Sequence, residues 1–311
     1  MMKTAFLFPG QGSQSVGMGL DFYQEFDFVR ELVDMAEEIT RINISRLCFK
    51  GPMEDLTMTV NLQSSITAVN LACLAILEKE DRWADIAAGH SLGEYSALTA
   101  SGVISKEDTL RLVFKRGELM HRESTKHQGA MHAIIGLAID EVQRLVDEVQ
   151  SEGVVAVANH NTEHQIVITG TPEQVEKVSS LAVLQEARAV PLKVSGAWHS
   201  ELIKGAVDEF RDFLDTVSFN TPERAIIHNV TAYFGENPDE IRHIMARQLC
   251  SPVRWYDSMQ RLIDEKVEIF AEVGPGRVLT GLLKKILPDN YPCRIYNINS
   301  LKNMEKFLKE T

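Results

Sequence analysis

Ile86-Ala87-Ala88-Gly89-His90-Ser91-Leu92-Gly93-Glu94-Tyr95 sets a G-x-S-x-G match between two readable elements. The small apolar run 86–88 reads as a buried strand, and residues 94–100 read as a helix. A serine on the tight turn between them is a nucleophile elbow: flanking glycines make room where larger side chains would clash. Its hydroxyl then projects above the sheet edge, at the positive end of the following helix. A glycine-rich turn with an ordinary serine would share the letters but not the strand–turn–helix setting. The elbow makes the chain α/β.

The surroundings agree. Strand and helix patterns alternate along most of the 311 residues, which favours a largely parallel sheet. Residues 4–8 read as a strand ending in Pro9-Gly10-Gln11-Gly12-Ser13-Gln14. A helix is expected over 64–78, and another from Ser105, an N-cap with Asp108 three residues on, to about Met120. Between 128 and 192 the order becomes strand 130–136, helix 140–150, strands 154–158 and 165–169, helix 172–181 and strand 188–192. That β-α-β-β-α-β order is the ferredoxin-like arrangement. The expected architecture is therefore a large α/β-hydrolase-like body with a mainly parallel sheet, residues 1–127 and 193–311, carrying an inserted ferredoxin-like small subdomain, 128–192. The body resumes through 194–198 and a helix over 199–214. Later come strands at 225–228 and 267–271, and helices at 238–248 and 278–286.

Composition narrows the function. Hydrophobic content of 44% and charged content of 24% suit a globular protein, and a net charge of −12 argues against nucleic-acid binding. No apolar run approaches the roughly 20 residues of a membrane helix, and the N-terminus is too short in its apolar part for a signal peptide. Cys48, Cys73, Cys250 and Cys293 lie far apart without C-x-x-C pairing, as expected of reduced thiols in a cytoplasmic protein.

Serine needs a base to take its proton. His90 adjoins Ser91 but should point away from it on so sharp a turn. His121, His127, His132, His160 and His164 sit in polar settings and read as solvated; His228 and His243 have no distinguishing context. His199 ranks first, because Ser195-Gly196-Ala197-Trp198 allows close approach and a helix should begin there. Residue chemistry alone leaves the others open.

A larger pattern adds to this. Phe8-Pro9-Gly10-Gln11-Gly12-Ser13-Gln14, Gly89-His90-Ser91-Leu92-Gly93-Glu94, Arg116-Gly117, Gly129-Ala130-Met131, Gly196-Ala197-Trp198-His199-Ser200, Asn229-Val230-Thr231 and Gln248-Leu249 before Ser251-Pro252-Val253-Arg254-Trp255 run in order along nearly the whole chain. Together with Ala158-Asn159-His160-Asn161 and residues 165–170, they resemble the malonyl-CoA:acyl carrier protein transacylase family. The resemblance implies a Ser91–His199 dyad with no acidic third member, the histidine being oriented by the backbone carbonyl of Gln248. It implies an oxyanion hole from the backbone N–H groups of Gln11 and Leu92. It also implies that Arg116 grips the free carboxylate of a malonyl thioester, a contact neutral acyl chains cannot make.

Two features depart from the commonest family pattern. Trp198 stands where a Phe or a small residue is more usual, which should narrow the space beside the acyl α-carbon and favour malonyl over methylmalonyl. The stretch with Glu123, Lys126, His127 and Gln128 is more polar than usual. The implied reaction is ping-pong transfer from malonyl-CoA, through a malonyl-serine, to the phosphopantetheine thiol of an acyl carrier protein. No metal or redox cofactor is expected, and a monomer is. Because such carriers are acidic, a local basic surface near Arg188, Lys193 and Lys284-Lys285 is expected to dock them.

Three rivals were weighed. A serine esterase or thioesterase of the α/β-hydrolase class orders its triad Ser, Asp or Glu, His, usually with the histidine near the C-terminus. An acyl-thioester hydrolase of the same fold in a polyketide pathway should prefer neutral acyl groups and dispense with Arg116. A non-catalytic carrier-binding scaffold would not need Ser91, His199 and Arg116 together.

Overall fold

The computed structural model describes residues 2–311. Among them, β1 (Thr4–Phe8) is followed by four helices, α1 (Leu20–Glu25), α2 (Asp27–Thr40), α3 (Ile44–Lys50) and α4 (Met53–Thr57), and then by the long α5 (Thr59–Lys79). β2 (Ile86–Gly89), α6 (Gly93–Ala100) and α7 (Lys106–Lys126) come next. The chain then crosses to β3 (Ala130–Ile135), α8 (Ile139–Val149), β4 (Val155–Thr162), β5 (Gln165–Gly170), α9 (Pro172–Leu184) and β6 (Arg188–Pro191). It returns through a 3₁₀ turn (Glu201–Ala206), α10 (Val207–Leu214), β7 (Ala225–Ile227), α11 (Pro238–Arg247) and α12 (Trp255–Asp264). β8 (Ile269–Val273), α13 (Val278–Ile286), β9 (Arg294–Ile298) and α14 (Leu301–Glu310) complete it.

The large sheet runs β7-β2-β1-β8-β9 with every pair parallel. Its period-two alternation supplies two cores. Phe6 and Phe8 of β1 face α5, α6 and α7, whereas Ala5 and Leu7 face α12 and α13. From β1 the chain first builds β2 and later β7 on one side, then β8 and β9 on the other. The strand order therefore reverses at β1, and a cleft opens beyond the carboxyl ends of β1 and β2, where open parallel sheets bind ligands.

The second sheet runs β4-β5-β3-β6 and is antiparallel throughout, with the β-α-β-β-α-β chain order expected. Ile134, Ile166 and Ile168 point to α8 and α9. The alternate residues Met131, Ala133 and Val167 point the other way and roof the cleft.

Several expectations change. α5 has mean hydropathy 1.5 over 18 residues, enough by length and composition to cross a membrane, although polar residues interrupt its apolar run. Of that window 83% is buried in the protein, so α5 is a core helix here. Residues 199–214 are not one helix, because His199 has φ 61°, outside the right-handed region, and a 3₁₀ turn precedes α10. α7 extends to Lys126, past the last apolar repeat, and the strand expected at 267–271 lies at Ile269–Val273. The sequence reading assigned no element to residues 20–57, to α12, to β9 or to α14. His160 is buried, its ring 4.8 Å from that of Tyr256, and His132 is half-buried, its Nδ1 2.8 Å from Ser179 Oγ; neither is a solvated residue. His127 and His164 are exposed as expected.

Candidate active site

Gly89 ends β2 and Gly93 opens α6 across a turn that no larger residue fits. A Cβ on Gly93 would lie 1.9 Å from Phe8 O, and one on Gly89 2.0 Å from the carbonyl carbon of Gly93. Ser91 between them has φ 50°, a left-handed conformation rare for a side-chain-bearing residue. The turn is held from outside: Asn229 Oδ1 accepts the Ser91 N–H at 2.7 Å, and Asn229 Nδ2 donates to Gly89 O at 2.6 Å.

Ser91 Oγ lies 2.8 Å from His199 Nε2. His199 Nδ1 is 3.0 Å from Gln248 O and 2.9 Å from Ser251 O. Carbonyl oxygens only accept, so Nδ1 carries the proton and Nε2 presents a lone pair to the serine hydroxyl. The sequence implied the Gln248 carbonyl; the one from Ser251 was not foreseen, because the 3₁₀ turn Gln248–Cys250 that aims both has no sequence signature. Burial, and next the nearby Arg116, lower the His199 pKa from 6.5 to about 3. At neutral pH His199 is therefore a neutral imidazole.

Arg116, on the inward face of α7, is 1% exposed. One guanidinium nitrogen donates to Ser91 Oγ at 3.1 Å and another to Gln63 Oε1 at 2.8 Å. Its Nε has no partner, and no carboxylate lies within 4.0 Å of it among the described residues. Burial pushes its pKa down, while Tyr95 and Glu94 push it up. A buried cation held only by neutral groups is an incomplete ion pair.

Ser91, His199, Arg116 and Gln63 line one cavity of about 240 Å³. Gln11 and Leu92 are on its wall, and neither backbone N–H donates to a protein acceptor among the described residues. Trp198, 4% exposed, closes one side, and Leu192, Val194 and Val278 line the same space. Thus all seven residues singled out from the sequence, Ser91, His199, Gln248, Gln11, Leu92, Arg116 and Trp198, meet at the carboxyl ends of β1 and β2. His90 also reaches the cavity wall but turns to the small sheet, its Nε2 2.8 Å from Asn161 Oδ1. Sequence reasoning missed Gln63, which has no motif of its own, and the buried carboxylate of Glu94 directly after the elbow.

The family model for the acyl transferase domain matches residues 5–306. A malonyl CoA-acyl carrier protein transacylase of Bacillus subtilis (strain 168) is 42% identical over 288 residues, covering 92% of this chain and 91% of the relative. The protein of the same name from Escherichia coli (strain K12) is 38% identical, covering 92% and 94%. Among solved structures, a type II polyketide-synthase acyl carrier protein in complex with its malonyl-transacylase superposes with a TM-score of 0.94 at 34% identity, covering 99% of this chain and 100% of that one.

Proposed function

The chain belongs to the malonyl-CoA:acyl carrier protein transacylase family of acyl transferases, and from the cavity's geometry we propose how its residues divide the work. It is an acyltransferase that moves a malonyl group from malonyl-CoA to the phosphopantetheine thiol of an acyl carrier protein. Ser91 Oγ attacks the thioester carbonyl as its proton passes to His199 Nε2. The backbone N–H groups of Gln11 and Leu92 hold the oxyanion, with α6 behind Leu92 adding its positive end. The C–S bond breaks, and His199 returns the proton to the departing CoA sulfur. In the second half His199 takes the proton of the carrier thiol, the thiolate attacks the malonyl-serine, and Ser91 leaves with the proton. Neither half requires a metal or redox cofactor.

The buried guanidinium of Arg116, 3.1 Å from the nucleophile and with no carboxylate within 4.0 Å among the described residues, carries this reading. A malonyl carboxylate completes its ion pair; a neutral acyl group leaves it unpaired. Trp198 limits the room beside the α-carbon, so malonyl is favoured over methylmalonyl, and a competition assay turning both over equally would remove that role. The small antiparallel sheet with its two helices we read as a ferredoxin-like subdomain, residues 128–192, inserted in the catalytic body. The enzyme works as a cytoplasmic monomer on this reading.

Incubation with malonyl-CoA and intact-protein mass measurement tests the assignment. One malonyl adduct is expected, absent in Ser91→Ala and discharged on adding phosphopantetheinylated carrier. Release to water at the same rate without the carrier would instead mark a hydrolase.

A further inference from the structure

Behind the elbow lies a carboxylate that does not line the cavity. Glu94, fully buried in the first turn of α6, accepts from His228 Nδ1 at 2.8 Å, from the Asn229 N–H at 3.3 Å and from Gln248 Nε2 at 2.5 Å. We propose that Glu94 is the positioning residue for both members of the dyad, its carboxylate fixing the Gln248 segment that orients His199 and the Asn229 segment that pins Ser91.

The geometry is a two-armed tether. On one arm, Gln248 Nε2 bridges Glu94 and Ser91 O (3.0 Å), while the backbone carbonyl of the same Gln248 accepts from His199 Nδ1. On the other, Asn229 takes the Ser91 N–H and donates to Gly89 O. Ser91 in its left-handed conformation stays there only if its surroundings over-determine it. The Asn229 N–H and the Gln248 Nε2 can only donate, and His228 Nδ1 donates when it carries the ring proton, so carboxylate oxygens fit the place. A neutral amide would set one N–H against another. Gln248 Oε1 has no partner, so Glu94 and Ser91 O alone decide which way that amide points. The N-terminus of α6 favours the anion there.

The inference rests on Ser91 and His199 acting together but not on the acyl group being malonyl, and the test separates the two. Glu94→Gln in the full-length enzyme is followed in two ways: the rate at which a fluorophosphonate labels Ser91, and malonyl transfer to the carrier. Both the labelling rate and kcat should fall about 10- to 100-fold, as small misplacements of reacting groups do, with KM for malonyl-CoA nearly unchanged and the thermal midpoint showing a folded protein. Gln248→Leu, which keeps the backbone carbonyl, should fall similarly, and the double variant should be no slower than the worse single one. Wild-type rates in Glu94→Gln, or losses that multiply in the double variant, would overturn the proposal. Should Glu94→Gln not fold, His228→Gln, which keeps a donor to Glu94, should outperform His228→Leu; equal rates would count against it. A wild-type enzyme that labels at Ser91 yet accepts no malonyl would end the substrate reading, while the labelling series would still decide the role of Glu94.

Discussion

Arg116 acts twice through one charge. On the proposed function it offers an unfilled ion pair to the malonyl carboxylate, and its charge helps lower the His199 pKa. Removing one side of a buried charge pair typically costs about 2–5 kcal/mol, so Arg116→Ala should lower kcat/KM for malonyl-CoA by about 30-fold or more while acetyl-CoA loses much less. Parallel assays with the two thioesters check this. Because the neutral imidazole is the base, wild-type kcat/KM should show no acid limb near pH 6.5 and should fall only as pH approaches the His199 value of about 3. In Arg116→Ala that limb moves to higher pH, and a pH–rate profile reads it. The same shift has a stability sign. The unfolded histidine takes a proton near pH 6.5 and the folded one near 3, so this contribution is complete above pH 6.5 and lost as pH falls through that window. Burial of Arg116 was not legible beforehand, because an arginine on a polar-looking helix ordinarily faces water.

At the scale of elements, two junctions hold the cavity. At the elbow, Gly93→Ala would drive a Cβ into Phe8 O, and the β1–β2–α6 packing has no room to relax. The expected loss is more than about 3 kcal/mol, seen as a collapsed thermal midpoint or insoluble protein. At the other junction, Glu272 at the end of β8 accepts the Leu279 and Thr280 N–H groups at 2.9 and 2.8 Å and so caps α13, whose Val278, Leu279 and Leu282 line the cavity. Glu272→Gln should cost about 1–2 kcal/mol in denaturant titration, because one of the two acceptors becomes a donor. The elbow was readable because its glycines are a local steric requirement. The Glu272 cap was not, because its two halves are separated by the Gly274-Pro275-Gly276 turn and belong to different elements.

The molecule as a whole is two sheets facing one cavity, with the alternate residues of β3 and β5 forming its roof. Its net charge of −12 would work against an acidic partner, whose approach would then rest on local charge. Arg188 on β6, Lys193 just after it, and Lys284 and Lys285 on α13 are all exposed, on the two segments whose Leu192, Val194 and Val278 line the cavity. Neutralising all four should raise KM for the carrier about 10-fold at low salt and less at high salt, with malonyl-serine formation unchanged. Carrier kinetics across ionic strengths decide it; an unchanged KM would place docking elsewhere.

The sequence by itself determined the α/β class, the elbow, the β-α-β-β-α-β order and the first rank of His199 among the histidines, while the family resemblance implied Gln11, Leu92, Arg116 and Gln248. Each of these follows from short-range sterics, hydrophobic periodicity or motifs kept in order along the chain. Only the tertiary structure decided which way side chains face and which backbone groups they meet. It buried Arg116 with no carboxylate in contact among the described residues, gave His199 a second carbonyl from Ser251, and gathered Glu94, His228, Asn229 and Gln248 behind the serine. The Glu94 contacts span separations of 134 to 154 residues, and no local pattern encodes a hydrogen bond made by strands and turns that meet only when the sheet closes.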